Sequence, residues 1–212
     1  MSEIYYNFER SDLSNFDHIT KSIGLPTVAF NISTFPGVYV AGGYLIETFN
    51  KKYVSNDIDV YFTNVDSINQ ARKELNKFGY RKIISPRGCE NWARESLQTI
   101  QLIVSKTYED PCHIIDGFDL RCCQLAYTKG VLYYNKGTLW DLEKGELNIW
   151  RPDQIKKERI LKYINKGFKL TPETRKIINE KGIDIHIGTE VTPELYSIKT
   201  QVKRKIKWNA QI

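Results

Sequence analysis

Two aspartates one residue apart, Asp57 and Asp59, stand in the run VYVAGGYLIETFNKKYVSNDIDVYF, shortly after the pair Gly42-Gly43. On a strand, side chains alternate with period two, so both carboxylates project from one face and could together hold a divalent metal. A paired glycine at the mouth of a helix offers bare backbone N–H groups that a phosphate can approach closely. A metal site beside a phosphate cradle points to nucleotide chemistry.

The elements that must position these groups are legible around them. After Pro36-Gly37, the short apolar, β-branched run Val38 to Ala41 reads as a buried strand that delivers the glycines, and Tyr44 to Asn50 as the helix that follows. Asp57 to Phe62 alternates cleanly, with Ile58 and Val60 facing the core and Asp57, Asp59 and Tyr61 facing away. Ser67 to Phe78 forms an amphipathic helix through Ile68, Ala71, Leu75 and Phe78, closed by Gly79. Tyr80 to Ser85 and Thr99 to Val104 read as strands, and the polar segment PRGCENWARESLQ between them as a loop or short helix. Cys122 to Thr128 and Val131 to Asn135 flank Lys129-Gly130 at hairpin spacing. Leu13, Phe16, Ile19 and Ile23 predict an opening helix over Ser11 to Ser22.

The last third differs in character. A helix is expected within RPDQIKKERILKYINKGF, with Ile160, Leu161, Ile164 and Phe168 inward, and a second from Pro172 to Lys181 before Gly182. Residues 151–212 hold fifteen Lys and Arg against seven Asp and Glu, a net of +8, whereas residues 1–150 carry −2 of the chain's total of +6. Lys199 to Ile212 contains Lys199, Lys203, Arg204, Lys205, Lys207 and Trp208 with no acid. Such asymmetry suits an acidic site with a basic lobe for a polyanion, although a solvated basic tail has the same composition.

Composition narrows the class further. With 212 residues, 41% hydrophobic and 26% charged, the chain can bury a sizeable core. The lack of a long apolar run or signal peptide predicts a cytoplasmic protein with no membrane partner. Cys89, Cys112, Cys122 and Cys123 form no CxxC, and His18, His113 and His186 are scattered, so reduced thiols and ordinary histidines are expected. No GxGxxG follows the first glycine-bearing strand and no Gly-Lys-Ser/Thr follows the glycines, which sets aside a dinucleotide-binding Rossmann domain and a P-loop.

Neither Asp-x-Asp nor Gly-Gly carries a function alone, since both recur by chance. Their joint layout, strand, Gly-Gly, helix, then a strand with Asp-x-Asp, resembles the nucleotidyltransferase superfamily with a DNA polymerase beta-like catalytic core, here as VAGGYL and NDIDVYF. Viral and phage-type members are similar also in segments like IIDGFDLRCCQLAY and RILKYINKGF. The resemblance implies an α+β fold, a mixed sheet flanked by helices. It divides the chain into a catalytic core over residues 1–150 and a basic, mainly helical region over 151–212. It also implies transfer of a nucleoside monophosphate from an NTP to a hydroxyl, with release of pyrophosphate, supported by Mg2+ or Mn2+.

In that scheme Asp57 and Asp59 bind the metals, while Gly42, Gly43 and Tyr44, with Arg159 and Lys162, meet the nucleotide. Arg159, Lys162 and Lys166 recur at helical spacing, which a solvated helix face would also produce. The superfamily normally adds a third carboxylate on a neighbouring strand. Asp119, in the apolar-acid-apolar run Phe118-Asp119-Leu120, is the favoured candidate for that catalytic and metal-binding role, ahead of Asp116. The strand Thr99 to Val104 presents Gln101 instead, whose neutral amide neither neutralises a cation nor takes a proton. The acceptor is expected to be RNA or DNA. A protein or small-molecule acceptor, or a catalytically silent relative that binds nucleic acid or a partner protein, stands beside that expectation. Oligomeric state is open.

Overall fold

A computed structural model describes residues 8–12, 25–49 and 55–185 of the chain. Eight strands form one mixed sheet: β1 (Phe8–Asp12), β2 (Val38–Ala41), β3 (Asp57–Phe62), β4 (Arg81–Ile83), β5 (Cys89–Ala93), β6 (Thr99–Ile103), β7 (Leu125–Thr128) and β8 (Val131–Asn135). Their order is β1-β8-β7-β2-β3-β6-β5-β4. Each pair is antiparallel except β3 with β6, which run parallel in the register Asp57 with Thr99 and Asp59 with Gln101. This is the α+β arrangement expected, a mixed sheet flanked by helices.

Alternation sorts the side chains onto two faces. Val38, Val40, Ile58, Val60, Ile100 and Leu102 are fully buried in the main core, with residues of α1 (Thr27–Ser33), α2 (Gly43–Phe49) and α3 (Val65–Lys77). Helix α3 forms because Asn64 caps it, Oδ1 accepting from the Ser67 N–H at 2.8 Å, and because Ile68, Ala71 and Leu75 share its buried side. On the opposite face Ala41 and Ala126 pack with Ile114 and Ile115 of α4 (Pro111–Asp116), ringed by Tyr39, Tyr61, Tyr108, Phe118 and Tyr133. Small alanines let this short helix lie close to the sheet. Asp59, paired with Ala41 and of the same parity as Tyr61, lies on this second face.

Beyond the sheet come α5 (Thr138–Lys144), the short parallel pair β9 (Glu146–Leu147) and β10 (Lys169–Leu170), α6 (Lys157–Ile164) and α7 (Pro172–Glu180). Ile155, Ile160, Tyr163, Phe168 and Ile178 join the main buried cluster, which ties α6 to the strands. Buried Asp141 at the centre of α5 is held by Arg121, at 2.8 and 2.6 Å, and by Asn148 at 2.8 Å. No helix among the described residues is long and apolar enough to cross a membrane.

Several local expectations change. Within PRGCENWARESLQ lies strand β5, whose inward residues are Glu90 and Trp92, 6% and 5% exposed. A carboxylate in a core position hides the alternation from a hydrophobicity reading. Cys122 and Cys123 belong to a 3-10 turn over Arg121–Cys123, not to β7, because the Arg121 carbonyl accepts from the Thr138 hydroxyl at 2.9 Å as the chain bends toward α5. The helix foreseen within 151–168 spans only Lys157–Ile164. Ser11 and Asp12 extend β1 rather than opening a helix, and the rest of that forecast helix, His18, His186 and the basic stretch Lys199 to Ile212 lie outside the described residues.

Strand β4, exposed along its three residues, ends the sheet, and its Lys82 Nζ donates to Glu90 Oε1 at 2.7 Å while Arg72 donates to both Glu90 oxygens at 3.0 and 2.8 Å. Burial pushes the Glu90 carboxyl up, but the hydrogen bonds and charges of Arg72 and Lys82 outweigh it and hold the pKa at about 2. A folded value below the unfolded one gives stability that is present above pH 4.5 and lost as pH falls toward 2. Glu90→Gln should therefore lower stability by about 1–2 kcal/mol at pH 7, allowing for the exposure of both cations. Urea denaturation at pH 7 and pH 3 checks this: the gap between variant and parent narrows at the lower pH, and an equal gap at both contradicts the ion-pair account.

Candidate functional site

The chain turns from β2 into α2 at Gly42, whose φ of +78° is a conformation that side-chain-bearing residues rarely adopt. A Cβ here would stand 3.0 Å from Asp59 Oδ2 and 3.6 Å from the Phe118 ring, so glycine meets both a backbone and a space requirement. At Gly43 a Cβ would meet only the Ser55 and Tyr163 hydroxyls, at 3.7 and 4.0 Å, and would narrow the cleft between them.

The entry to β3 is fixed independently. Glu47 Oε2 accepts from the Ser55 N–H at 2.7 Å, the Ser55 hydroxyl donates to the Asp57 carbonyl at 2.8 Å, and Gln98 Nε2 donates to the Ser55 carbonyl at 3.2 Å. These three bonds set where Asp57 and Asp59 leave the sheet.

Opposite the aspartates runs α6. Gly42, Gly43, Asp57 and Asp59 form one wall of a cleft, and Arg159, Lys162, Tyr163 and Lys166 the other, with Ser55, Asn56 and Phe118 also lining it. Burial, then the like charge of Asp57, raises the Asp59 pKa to about 7, against the pull of Lys162 and Arg159. Burial and the charges of Lys162 and Arg159 push Lys166 down. Burial also works against the Arg159 cation, but Cys123, Tyr163 and Asp119 around it more than offset that and keep it protonated. Arg159 is held on three sides: Nε donates to Asp119 Oδ1 at 3.2 Å, Nη2 to Cys123 Sγ at 3.5 Å, and the guanidinium lies 5.0 Å from the Tyr163 ring centre.

The residues singled out in the sequence thus fall into three groups. Gly42, Gly43, Asp57, Asp59, Arg159 and Lys162 come together at the cleft, along with Lys166. Tyr44 is 8% exposed and packs into the main core, and is not among the cleft-lining residues. Asp119 lies in a bend outside the strands, ion-paired to Arg159 and likewise outside the lining, and Asp116 is engaged by Arg151 and by Trp150 Nε1 at 3.0 Å. Ser55, Asn56, Phe118 and Tyr163 escaped the sequence reading. Loop residues carry no periodicity, and Tyr163 reads as an ordinary core aromatic.

The chemistry of the donor set suits a hard cation. Asp57 and Asp59 supply two carboxylates from one strand face, where burial and the like charge of Asp57 raise Asp59 more than Lys162 and Arg159 lower it. Among the described residues, however, no group of three or more His, Cys, Asp or Glu could hold a metal ion.

Solved structures share this architecture. A CCA-adding enzyme in complex with CTP matches with a TM-score of 0.61 at 15% identity, over 81% of this chain and 46% of its own. The Thermotoga maritima CCA-adding enzyme complexed with tRNA matches with 0.58 at 15%, over 82% and 45%. A tRNA nucleotidyltransferase complexed with a primer tRNA and an incoming ATP analogue matches with 0.55 at 16%, over 68% and 46%. The likeness is one of fold, and the chain spans less than half the length of these proteins. No curated protein matches the sequence. A family profile described as Gabija anti-defense 2 family protein matches residues 9–145, more than half of the chain. The chain belongs to the Gabija anti-defense 2 family.

Proposed function

We propose that this protein is a nucleotidyltransferase that moves a nucleoside monophosphate from an NTP to a hydroxyl on nucleic acid, releasing pyrophosphate. The observation that carries this reading is the cleft with two unlike walls, the carboxylates of β3 facing Arg159 and Lys162 of α6, and Lys166 just beyond its end, across a glycine turn. A triphosphate has one end to be met by cations and another, the α-phosphate, to be attacked beside metal-binding oxygens. The fold shared with CCA-adding enzymes, including structures with CTP and with tRNA, supports the same reading.

In this site Asp57 and Asp59 would hold Mg2+ or Mn2+. When bound, the divalent ion neutralises charge on the reacting phosphate. Gly42 and Gly43 leave room for the phosphates to approach the backbone, and Arg159, Lys162 and Lys166 face the β- and γ-phosphates. As the acceptor oxygen bonds to the α-phosphorus and the bond to the β-phosphate breaks, these cations stabilise the charge that grows on the leaving pyrophosphate. Asp119 acts through Arg159, holding its guanidinium toward the cleft. The basic region over 151–212 supplies further cations to the acceptor backbone, attraction that weakens as salt rises. The family description places its members against a defence, so the acceptor or the nucleotide would belong to that defence.

Incubating the purified protein with each labelled NTP, Mg2+ or Mn2+, and pools of RNA, DNA and protein tests this. Label should pass to nucleic acid, and the double substitution Asp57→Asn, Asp59→Asn should reduce transfer by at least about 10²-fold. Label on protein alone would move the acceptor to the other class, and no transfer by the parent protein would remove the enzymatic reading.

Asp119→Asn separates a positioning role from a metal-binding one. Loss of the ion pair with Arg159 should raise the KM for NTP about 10-fold, with the divalent-ion concentration for half-maximal activity unchanged. A shift in that concentration would instead place Asp119 at the metal.

A further inference from the structure

The geometry points to a site that holds a single divalent cation, with Gln101 standing where a second, acceptor-side cation would need a third carboxylate. The inference rests on the nucleotide site proposed above and concerns which half of it is complete.

Strand β3 has two neighbours in the sheet. Asp59 pairs with Ala41 on β2 and with Gln101 on β6. In-register residues of adjacent strands share a face and stand about 4.8 Å apart, so these are the two strand positions from which another carboxylate could join Asp59 around a second ion about 3.5–4 Å from the first. Ala41 ends at its Cβ and is fully buried. Gln101 is half-buried on the same face as Asp59, and its side-chain amide makes no hydrogen bond among the described residues. The remaining positions of that row are no better supplied. Thr99 stands beside Asp57, and Asn91 on β5 lies opposite Gln101.

Acids elsewhere in the vicinity are already engaged. Asp119 is tied to Arg159 at 3.2 Å, and Glu47 accepts from the Ser55 N–H at 2.7 Å. Asp57 and Asp59, with triphosphate oxygens, suffice for one octahedral ion, since such ions are commonly bound through one or two carboxylates plus phosphates. A second ion would have to share the same two carboxylates, helped only by a neutral amide oxygen. Beyond Asp59 in this row the sheet instead carries Gln101 and Asn91, side chains that can hydrogen-bond a hydroxyl without neutralising it. Arg159, Lys162 and Lys166 line the cleft with Asp57 and Asp59, whereas Gln101 does not; in the nucleotide site proposed above these cations meet the triphosphate, where they cannot stand in for that ion.

Native mass spectrometry of the full-length protein with Mn2+ and a non-hydrolysable α,β-methylene NTP analogue counts ions per protein–nucleotide complex. The expected count is one for the parent, one for Gln101→Leu and two for Gln101→Glu. Two ions in the parent overturn the inference while leaving the nucleotide site intact, and one ion in a folded Gln101→Glu overturns the assignment of Gln101 to the vacant ligand position. A parent that retains neither analogue nor ion overturns this inference together with the reading beneath it. Should Gln101→Glu fail to fold, judged by circular dichroism, the parent count decides alone.

Discussion

Two carboxylates that repel each other on one half-buried strand face are the constraint around which the rest of the site is arranged. Charge on Asp59 next to Asp57 calls for compensation: desolvation and the like charge of Asp57 push its pKa up to about 7 against the pull of Lys162 and Arg159. The surroundings supply it in layers. Arg159 and Lys162 approach from α6, and the hydrogen bonds to Ser55 hold the start of β3 so that the charges cannot drift apart. Gly42, with no side chain, allows the chain to pass within contact of Asp59 Oδ2. A ligand that carries cation and phosphates together satisfies both walls at once.

Arg159 connects this cleft to the interior. It is gripped by Asp119, Cys123 and the Tyr163 ring, while the Cys123 thiol donates to the Tyr163 hydroxyl at 2.9 Å. The four described cysteines are free thiols, and Cys122 and Cys123 are fully buried. Their role is to pack and to present a polarizable sulfur to the guanidinium. The segments FDLRCC and RILKY therefore meet in space: one supplies the grip and the other the cation.

Short-range pattern made the centre of the site legible in the sequence, and long-range pairing made the periphery illegible. Strands β2 and β3, the helix between them and the helix after them follow from β-branching, clean alternation and helical spacing, which act within a few residues. Asp119 could not be assigned in the same way. Its apolar neighbours suggested a strand, but its carboxylate is claimed by a residue forty positions away. Strand β5 was hidden because Glu90 occupies a core position that its bonds from Arg72, Lys82 and Trp92 make tolerable. Gln101 was recognised as a poor ligand on chemical grounds alone. Its register beside Asp59, a property of the folded sheet, gives that recognition its weight.

Strand β4 has a consequence of another kind. It is three residues long, exposed, and terminates the described sheet with unpaired backbone groups on its outer side, the kind of edge along which chains add to one another. Arg81 and Lys82 place positive charge there, and Ile84 just beyond is 95% exposed. Lys82 thus serves two ends, guarding the edge against self-association while neutralising Glu90 within the core. Acid that protonates Glu90 weakens its hold on Lys82, so one proton acts both on the pairing that stabilises β5 and on the charge that guards the edge strand beside it.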